Sequence, residues 1–440
     1  MSVDRHLLRV KSGHGHHRVS FAELFFDLVF VFAVTQLSHS LIEHFSALGA
    51  VQTLLLMLAV WWVWVYTAWF TNWLDPEKPP VRLLMMAMML AGLIIAASIP
   101  KAFESRGGAF AVAYAGMQVS RTLFVLWAAR GHVRMIRNFQ RILAWLVASA
   151  VFWIAGAFVH GTERLATWAI AFGIEFVSPA IGFWVPGLGR STTTDWDVEG
   201  GHMAERCGLF IIIALGESIL VTGASFAALE WTAATVTAFV ASFIASLAMW
   251  WLYFDVGAEA GSRTISESDD PGRLARLAYT YIHLPLVAGI ILSAVADEFV
   301  LAHPIGHTDM RTTISVLGGF ATYLIGHALF AWAIVRRVPT SSVVAVAALA
   351  LLMTVASHVA PVELMMAATG IVIATAAWET RMKRGSASAR HLYDAASGGA
   401  AMMSHSAESR CIERLNFQSC LRRAVCLFKL SQWASHDGRG

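Results

Sequence analysis

The stretch R-V-S-F-A-E-L-F-F-D-L-V-F-V-F-A-V-T-Q-L-S-H-S, residues 18–40, decides how the whole chain is interpreted. It has the length and the apolar composition of a membrane-spanning helix. It also carries two carboxylates, Glu23 and Asp27, near its start. A charged side chain inside a membrane costs about 2.5 kcal/mol or more, so these acids indicate a functional or structural role. The rest of the chain must supply what stabilises them.

The composition is typical of a polytopic membrane protein. Of the 440 residues, 57% are hydrophobic and 14% are charged, whereas soluble domains are about 25% charged. The net charge of +3 is small and its basic residues lie in short segments beside apolar runs, so no nucleic-acid binding is predicted. The four cysteines have no paired spacing and support neither a disulfide framework nor a zinc ribbon.

Apolar runs of about 20 residues predict an all-α protein with twelve membrane-spanning helices. The predicted spans are 21–40, 51–70, 82–99, 109–129, 141–159, 165–184, 207–227, 232–254, 278–298, 313–335, 341–358 and 361–378. Segments that would face the cytoplasm hold 17 Lys and Arg residues up to Arg337, against four on the other side: Lys101, Arg106, Arg164 and Arg311. Because cytoplasmic loops carry the excess of positive charge, both termini are expected in the cytoplasm.

Four short matches between the two halves predict an internal duplication. The paired segments are 58–62 with 247–251, 91–95 with 288–292, 123–124 with 329–330, and 22–23 with 204–205. They fall in chain order, which favours two parallel six-helix repeats with the working path between them. The predicted divisions are a cytoplasmic segment 1–20, a first repeat 21–184, a linker 185–206, a second repeat 207–378 and a disordered cytoplasmic tail 379–440.

Glu23 and Asp27 are four residues apart and therefore share one face of the first helix. Three interpretations remain open for them. They could line a path for a cation or proton, pair with an arginine on another helix, or cap the first helical turn.

Further ionisable residues fall within the predicted spans. Glu217 lies about 16 Å along the seventh span from Arg206, near the middle of the membrane, where a carboxylate needs a cationic partner, water or a transported ion. Arg121 in the fourth span is expected to pair with a carboxylate of span 1, 6 or 7, and the repeat places His327 at the equivalent position. Glu175 either forms a structural ion pair or takes part in transport.

His283 is followed two residues later by Pro285, which predicts a kink with a freed backbone carbonyl. The chain has no Walker-type loop, no H-E-x-x-H, no nucleophile elbow and no dinucleotide fingerprint. No enzyme activity, catalytic residue, metal site or cofactor is therefore predicted.

Three segments resemble the bacterial low temperature requirement protein A (LtrA) family. They are E-L-F-F-D-L-V-F-V-F-A-V-T-Q-L at 23–37, H-M-A-E-R-C-G-L-F-I-I-I-A-L-G-E-S at 202–218 and H-L-P-L-V-A-G at 283–289. The resemblance covers residues 18–384, and Cys207 stands where a more polar residue is expected. It implies a multi-pass protein of the bacterial inner (plasma) membrane that is linked to growth at low temperature. The motif residues are Phe26, His202, Glu205, Arg206, Gly208 and Gly216.

The stretch D-L-V-F-V-F-A-V-T at 27–35 also resembles the first helix of organelle and bacterial potassium channels with an F-S-D motif, although Phe26-Asp27 lacks the serine. That resemblance implies a path lined by spans 1 and 7. The leading functional prediction is a channel or transporter for an ion or small solute. The alternative is a membrane stress sensor or scaffold that transports nothing. Expected partners are the lipid bilayer, a small ion or solute, and further copies of the chain in a homo-oligomer.

Overall fold

A computed structural model describes residues 7–9, 18–193, 196 and 198–407 of the chain. Regular structure in these residues is helical, apart from isolated bridges between Leu8 and Leu74 and between Val185 and Gly189. The chain divides into two units, Met1–Thr380 and Arg381–Gly440. All side chains discussed below belong to the first unit.

Helices occupy all twelve of the apolar runs, when each continuous helical stretch in the described residues is counted once. They are α1 Phe21–Glu43, α2 Ala47–Trp73, α3 Pro79–Ser98, α4 Gly107–Ala128, α5 Val133–Ala157, α6 Gly161–Val177, α7 Gly200–Ala228, α8 Ala233–Ser266, α9 Pro271–Ala302, α10 Met310–Val335, α11 Thr340–Met353 and α12 Pro361–Ala407. Short 3₁₀ turns follow α3 and α11.

Ten of these described helices are long enough and apolar enough to cross a membrane, judged by length and composition. The other two, α6 with 17 residues and α11 with 14 residues, are shorter. A span needs about 20 residues, or about 17 at the lower limit. The helical membrane-protein class is therefore confirmed, while the count of twelve spans and the two repeats stay predictions.

The start of α7 differs from the predicted boundary. The predicted linker extends to Arg206, but α7 already begins at Gly200. A side chain at Gly200 would place its Cβ 2.7 Å from Ile265 Cγ1 of α8, so only glycine fits where these helices meet. Arg206 is therefore a buried helical residue. It does not belong among the loop cations on which the orientation prediction rests.

The chain after the last apolar run also differs from the expected disordered tail. α12 continues as a helix to Ala407. Seven of the 23 residues from 385 to 407 are alanine, the strongest helix former. Residues 408–440 of the predicted tail, and residues 1–6 and 10–17 of the predicted N-terminal segment, lie outside the described part of the chain.

A π-helical turn, Ala275–Tyr281, interrupts the α-helical hydrogen bonding of α9 just before Pro285. Trp61 of α2 donates its Nε1–H to the carbonyl of Thr280 in this turn at 2.8 Å. A neighbouring helix therefore supplies a hydrogen-bond donor to the backbone at the irregular turn.

Glycines let α9 and α10 approach almost backbone to backbone. A Cβ on Gly289 would lie 2.6 Å from the backbone nitrogen of Tyr323, and one on Gly326 would lie 2.9 Å from that of Leu286. Small residues are the usual means of close approach between membrane helices. This contact fixes α9 and the side chains that it carries toward α7.

Candidate functional site

The first turn of α1 holds Glu23 in a fixed position. The backbone N–H and the Oγ–H of Ser20 donate to Glu23 Oε2 at 2.8 and 2.9 Å, while Glu23 N–H donates to Ser20 Oγ at 3.3 Å. This is a capping box. Arg9 from the N-terminal segment adds an ion pair to the same Oε2 at 3.0 Å. The other carboxylate oxygen, Oε1, faces α7.

Arg206 of α7 joins the two acids of α1. Its Nη1 lies 3.0 Å from Glu23 Oε1 and its Nη2 lies 2.6 Å from Asp27 Oδ1. Two side chains of α2 add hydrogen bonds: Thr71 Oγ1 accepts from Nη1 at 3.0 Å, and Trp64 Nε1–H donates to Asp27 Oδ1 at 2.7 Å. All three ionic side chains are inaccessible to solvent. We call Arg9, Glu23, Asp27, His202 and Arg206 the charge cluster.

The hydrogen bonds assign the tautomer of His202. Asn72 is oriented by the backbone of Glu199, which donates its N–H to Asn72 Oδ1 and accepts from Asn72 Nδ2, both at 2.9 Å. The amide N–H₂ of Asn72 therefore faces His202 Nδ1 at 3.2 Å, so Nδ1 must be the acceptor. The proton then lies on Nε2, which donates to Glu23 Oε1 at 2.8 Å.

With His202 neutral, the charges of the charge cluster balance: two carboxylates face two guanidiniums. A balanced and hydrogen-bonded arrangement is how a protein keeps charges in a medium of low dielectric constant. Of the three interpretations of Glu23 and Asp27, the structure shows pairing with an arginine for both and capping for Glu23. The ion pairs and hydrogen bonds of the charge cluster thus connect the N-terminal segment, α1, α2 and α7.

Replacing Trp64 by Phe is expected to destabilise the protein by about 1–3 kcal/mol, because Asp27 would lose a buried hydrogen bond. The adjacent Trp62 is equally buried, and its Nε1 has no hydrogen-bond partner among the described residues. Trp62→Phe removes the same atoms and is the matched control. Thermal unfolding in detergent should separate the two variants, and equal losses would show that the Trp64 hydrogen bond contributes nothing.

Glu175 of α6 is surrounded by hydrogen-bond donors from α4 and α5. Tyr114 and Gln118 donate to Oε2 at 2.7 and 2.8 Å, and Ser149 and Trp153 donate to Oε1 at 2.5 and 2.9 Å. Four short bonds satisfy this carboxylate without direct contact to a cation. Glu175 is therefore neither a member of a direct ion pair nor a carboxylate with free hydrogen-bonding capacity.

Arg121 was expected to pair with a carboxylate, but it forms no direct bond to one among the described residues. Its Nη1 donates to Thr67 Oγ1 at 3.0 Å and to the Val63 carbonyl at 3.3 Å of α2, and its Nη2 donates to Gln118 Oε1. Because Gln118 also donates to Glu175, the glutamine links the two charges. The predicted direct pairing of Arg121 with a carboxylate of span 6 is therefore replaced by an indirect one. The side-chain amide of Gln118, on the same helix as Arg121, lies between the guanidinium and Glu175.

Arg121 also lines a small cleft, with a free volume of about 30 Å³, at the end of the bundle that holds the charge cluster. A second guanidinium, Arg276, reaches this cleft and donates to the Pro179 carbonyl at 2.8 Å. The walls are mainly aromatic: Tyr66, Trp69, Phe70, Trp73, Phe139, Phe183 and Trp196. The lining resembles that of a small-molecule site, but the free volume has room only for water or a small ion.

Glu217 lies on the face of α7 that meets α1. Its carboxylate is next to Thr35, and the His39 imidazole is near enough to interact with its charge. The residue is 5% exposed. A Cβ on the adjacent Gly216 would meet no atom of another helix within 4 Å, so this glycine does not serve close helix packing. Glu205, which the predicted repeat pairs with Glu23, is exposed.

His283 and His327, the two candidate histidines from the sequence, lie in different parts of the structure. His283 Nδ1–H donates to the Ala278 carbonyl at 2.8 Å, so its Nε2 accepts from Tyr253 Oη–H at 2.8 Å. His327 lies in another group, with Nε2 3.6 Å from Glu379 Oε2. Neither histidine contacts the charge cluster.

Sequence reasoning missed Asn72, Glu379 and Asp297. Asn72 and Glu379 lie just beyond the ends assigned to their spans, where polar residues are ordinary. Asp297 lies at the last turn of the predicted span 278–298 but is only 3% exposed. An aspartate within an apolar run is visible in the sequence, so Asp297 could have been predicted as a candidate site residue. Within the described ranges, no three His, Cys, Asp or Glu side chains meet as metal ligands.

A bundle of long apolar helices with a balanced, buried charge cluster defines a polytopic helical membrane protein. Residues 18–377 match the family described as Bacterial low temperature requirement A protein (LtrA). The chain therefore belongs to the LtrA family. Phe26, Gly208 and the charge-cluster residues of α1 and α7 lie within the matched range; Phe26 packs on Phe30 with ring centroids 5.0 Å apart, and a Cβ on Gly208 would contact Phe254.

A curated relative from Rhizobium meliloti (strain 1021), the uncharacterized protein RA0937, is 40% identical over 376 residues. The aligned region covers 85% of this chain and 91% of the relative. No solved structure matches the chain.

Proposed function

We propose that the protein moves a small ion or solute across the bacterial inner membrane. The proposed path runs between two parallel six-helix repeats, with α1 and α7 at its centre and both termini in the cytoplasm. In this arrangement the charge cluster closes the cytoplasmic end of the α1–α7 contact, and Glu217 lies farther along the same contact.

The observation that carries the proposal is the contrast between Glu217 and the acids of the charge cluster. Glu23 and Asp27 are each paired with Arg206. Glu217 is nearly as buried but faces Thr35 and His39, neither of which carries a permanent charge. An unbalanced carboxylate within a membrane is costly unless a proton or another cation accompanies it.

Two further features support the proposal. The aromatic cleft with Arg121 and Arg276 lies at the proposed cytoplasmic end, where a small ion could enter. The family description names a requirement at low temperature, so we extend the proposal to growth in the cold. Transport that maintains ion balance is one means by which a membrane protein supports such growth.

The proposal is tested by reconstituting the purified protein in liposomes and measuring flux of K⁺, Na⁺, H⁺ and several anions. Flux of at least one species above that of protein-free liposomes is expected. No flux of any species, together with a stable partner recovered by crosslinking in intact membranes, would favour a stress sensor or scaffold instead. The buried ion pairs of Arg206 with Glu23 and Asp27 are the observation that would suit such a scaffold.

A further inference from the structure

A second buried carboxylate, Asp297 of α9, lies between α7 and α8 at the end of the bundle away from the charge cluster. Ser218 Oγ lies 3.1 Å and Thr222 Oγ1 lies 3.2 Å from its Oδ2. Both hydroxyl groups belong to α7, one helical turn apart. Asp297 is 3% exposed, so bulk solvent does not supply it with further hydrogen bonds.

Asp297 is much less well satisfied than Glu175. Glu175 accepts four hydrogen bonds at 2.5–2.9 Å. Hydrogen bonds from hydroxyls to an ionised carboxylate are about 2.5–2.7 Å long. The two hydroxyl contacts of Asp297 are longer than that range. The hydrogen bonds of Asp297 are therefore too few and too long to stabilise a full negative charge, which indicates that a proton or a cation binds to this carboxylate.

The hydroxyl of Thr222 sharpens this conclusion. Its Oγ1–H donates to the Ser218 carbonyl at 2.6 Å, and a carbonyl can only accept. The single hydroxyl proton is therefore directed mainly to that carbonyl. The 3.2 Å contact from Thr222 Oγ1 to Asp297 Oδ2 is then at most the weaker branch of a shared hydrogen bond. Thr222 thus offers the carboxylate little positive charge, and its oxygen lone pairs stay available to a bound cation.

A third hydroxyl points at the same carboxylate. Ser242 of α8 faces Asp297 and is 1% exposed. No hydrogen bond of normal geometry satisfies its Oγ within the described residues. An unsatisfied buried hydroxyl costs free energy, so it indicates a partner that is bound there.

The other charged groups near Asp297 do not neutralise it. The nearest is Glu298 on the same helix, which adds negative charge. On α7, Glu217 faces α1 with His39. On α10, Arg311 begins the helix and is exposed. The site thus carries one buried negative charge surrounded by neutral oxygen atoms.

We propose that Asp297, Ser218, Thr222 and Ser242 bind Na⁺, with which a proton competes. Carboxylate and hydroxyl oxygens are hard donors, which suit cations of this kind. One carboxylate balances one monovalent charge, whereas a divalent ion would leave an uncompensated positive charge in the membrane. Binding at this site does not depend on the proposed transport.

The proposal is tested on the full chain purified in detergent, by comparing thermal unfolding in NaCl and in choline chloride at equal ionic strength. Na⁺ is expected to raise the midpoint by about 2–4 °C at alkaline pH and by less at acidic pH, because a ligand that binds only the folded state stabilises it. The difference between the two salts should disappear in Asp297→Asn. Glu175→Gln is the matched control, and it should keep the difference even if its overall stability falls.

Ser242→Ala provides a second variant in case Asp297→Asn does not fold. It should require several-fold more Na⁺ for the same shift. Equal midpoints in the two salts at every pH would overturn the proposal, as would a Na⁺ shift that persists in Asp297→Asn. A midpoint that depends on pH through Asp297 but never on Na⁺ would show a proton as the sole occupant and would also overturn it.

Discussion

Arg206→Met is expected to abolish recovery of folded, monodisperse protein in detergent. Arg206 is the shared partner of Glu23 and Asp27, at 3.0 and 2.6 Å, and all three are inaccessible to solvent. The variant would leave two buried carboxylates with only Arg9 as a nearby cation. Removing one partner of a buried pair costs about 3–5 kcal/mol, a large fraction of the stability of an ordinary domain. Size-exclusion profiles of extracted membranes measure this loss.

Arg263→Met is the matched control for Arg206→Met. Arg263 pairs with Glu259 at 3.0 Å, but both side chains are about 60% exposed. Exposed pairs contribute about 0–1 kcal/mol, so this variant should behave as wild type. Arg206→Lys should be intermediate, because a single ammonium cannot reach both carboxylates as the guanidinium fork does. A folded Arg206→Met protein with unchanged stability would contradict the assigned role of the charge cluster.

Gly289→Ala is expected to lower stability by about 1–3 kcal/mol, the usual cost of overpacking a core. The new Cβ would lie 2.6 Å from the backbone nitrogen of Tyr323, and backbone cannot move aside as a flexible side chain can. α9 and α10 would therefore have to separate. That shift would also disturb Tyr323, whose hydroxyl donates to the Met249 carbonyl of α8 at 2.6 Å.

Gly370→Ala of α12 serves as the control for Gly289→Ala. No atom of another helix among the described residues lies within 4 Å of a Cβ at Gly370. Alanine there should be neutral or stabilising by about 0.5–1 kcal/mol, because it is the better helix former. Thermal unfolding in detergent compares the two variants directly. Equal midpoints for both would mean that α9 and α10 do not pack as closely as described.

The helices could be predicted from the sequence because a membrane span requires a long apolar run, and such runs are visible without tertiary information. Boundaries were less predictable. α7 begins at Gly200 because His202 and Arg206 find partners on α1 and α2. Nothing in the local sequence distinguishes a buried arginine at a helix start from an arginine in a cytoplasmic loop.

The charge cluster could be predicted only in part. The cost of burying Glu23 and Asp27 indicated that a cationic partner was needed, and their spacing placed both on one face of α1. The identity of the partner depends on which helices are neighbours, and spacing along the chain does not contain that information. Arg121 was the expected partner, but α2 and Gln118 satisfy it instead.

The hydrogen bonds of the tryptophans were likewise beyond sequence reasoning. The cluster Trp61, Trp62, Trp64 and Trp69 is consistent with simple packing in an apolar helix. In the structure, Trp61 and Trp69 donate to Thr280 at 2.8 and 3.1 Å, and Trp64 donates to Asp27. These indole N–H groups thus satisfy a backbone carbonyl, a hydroxyl and a carboxylate on other helices.

Flux through proteoliposomes containing wild-type protein or Glu217→Gln is the most direct test of a transport path along the α1–α7 contact. Both proteins must first be monodisperse in detergent, so that any change reports on the path rather than on folding. We expect the Gln variant to lose several-fold in flux or to shift its pH dependence, since the amide cannot exchange a proton or balance a cation. Unchanged flux at every pH would contradict a role for Glu217 and, with it, the proposed path.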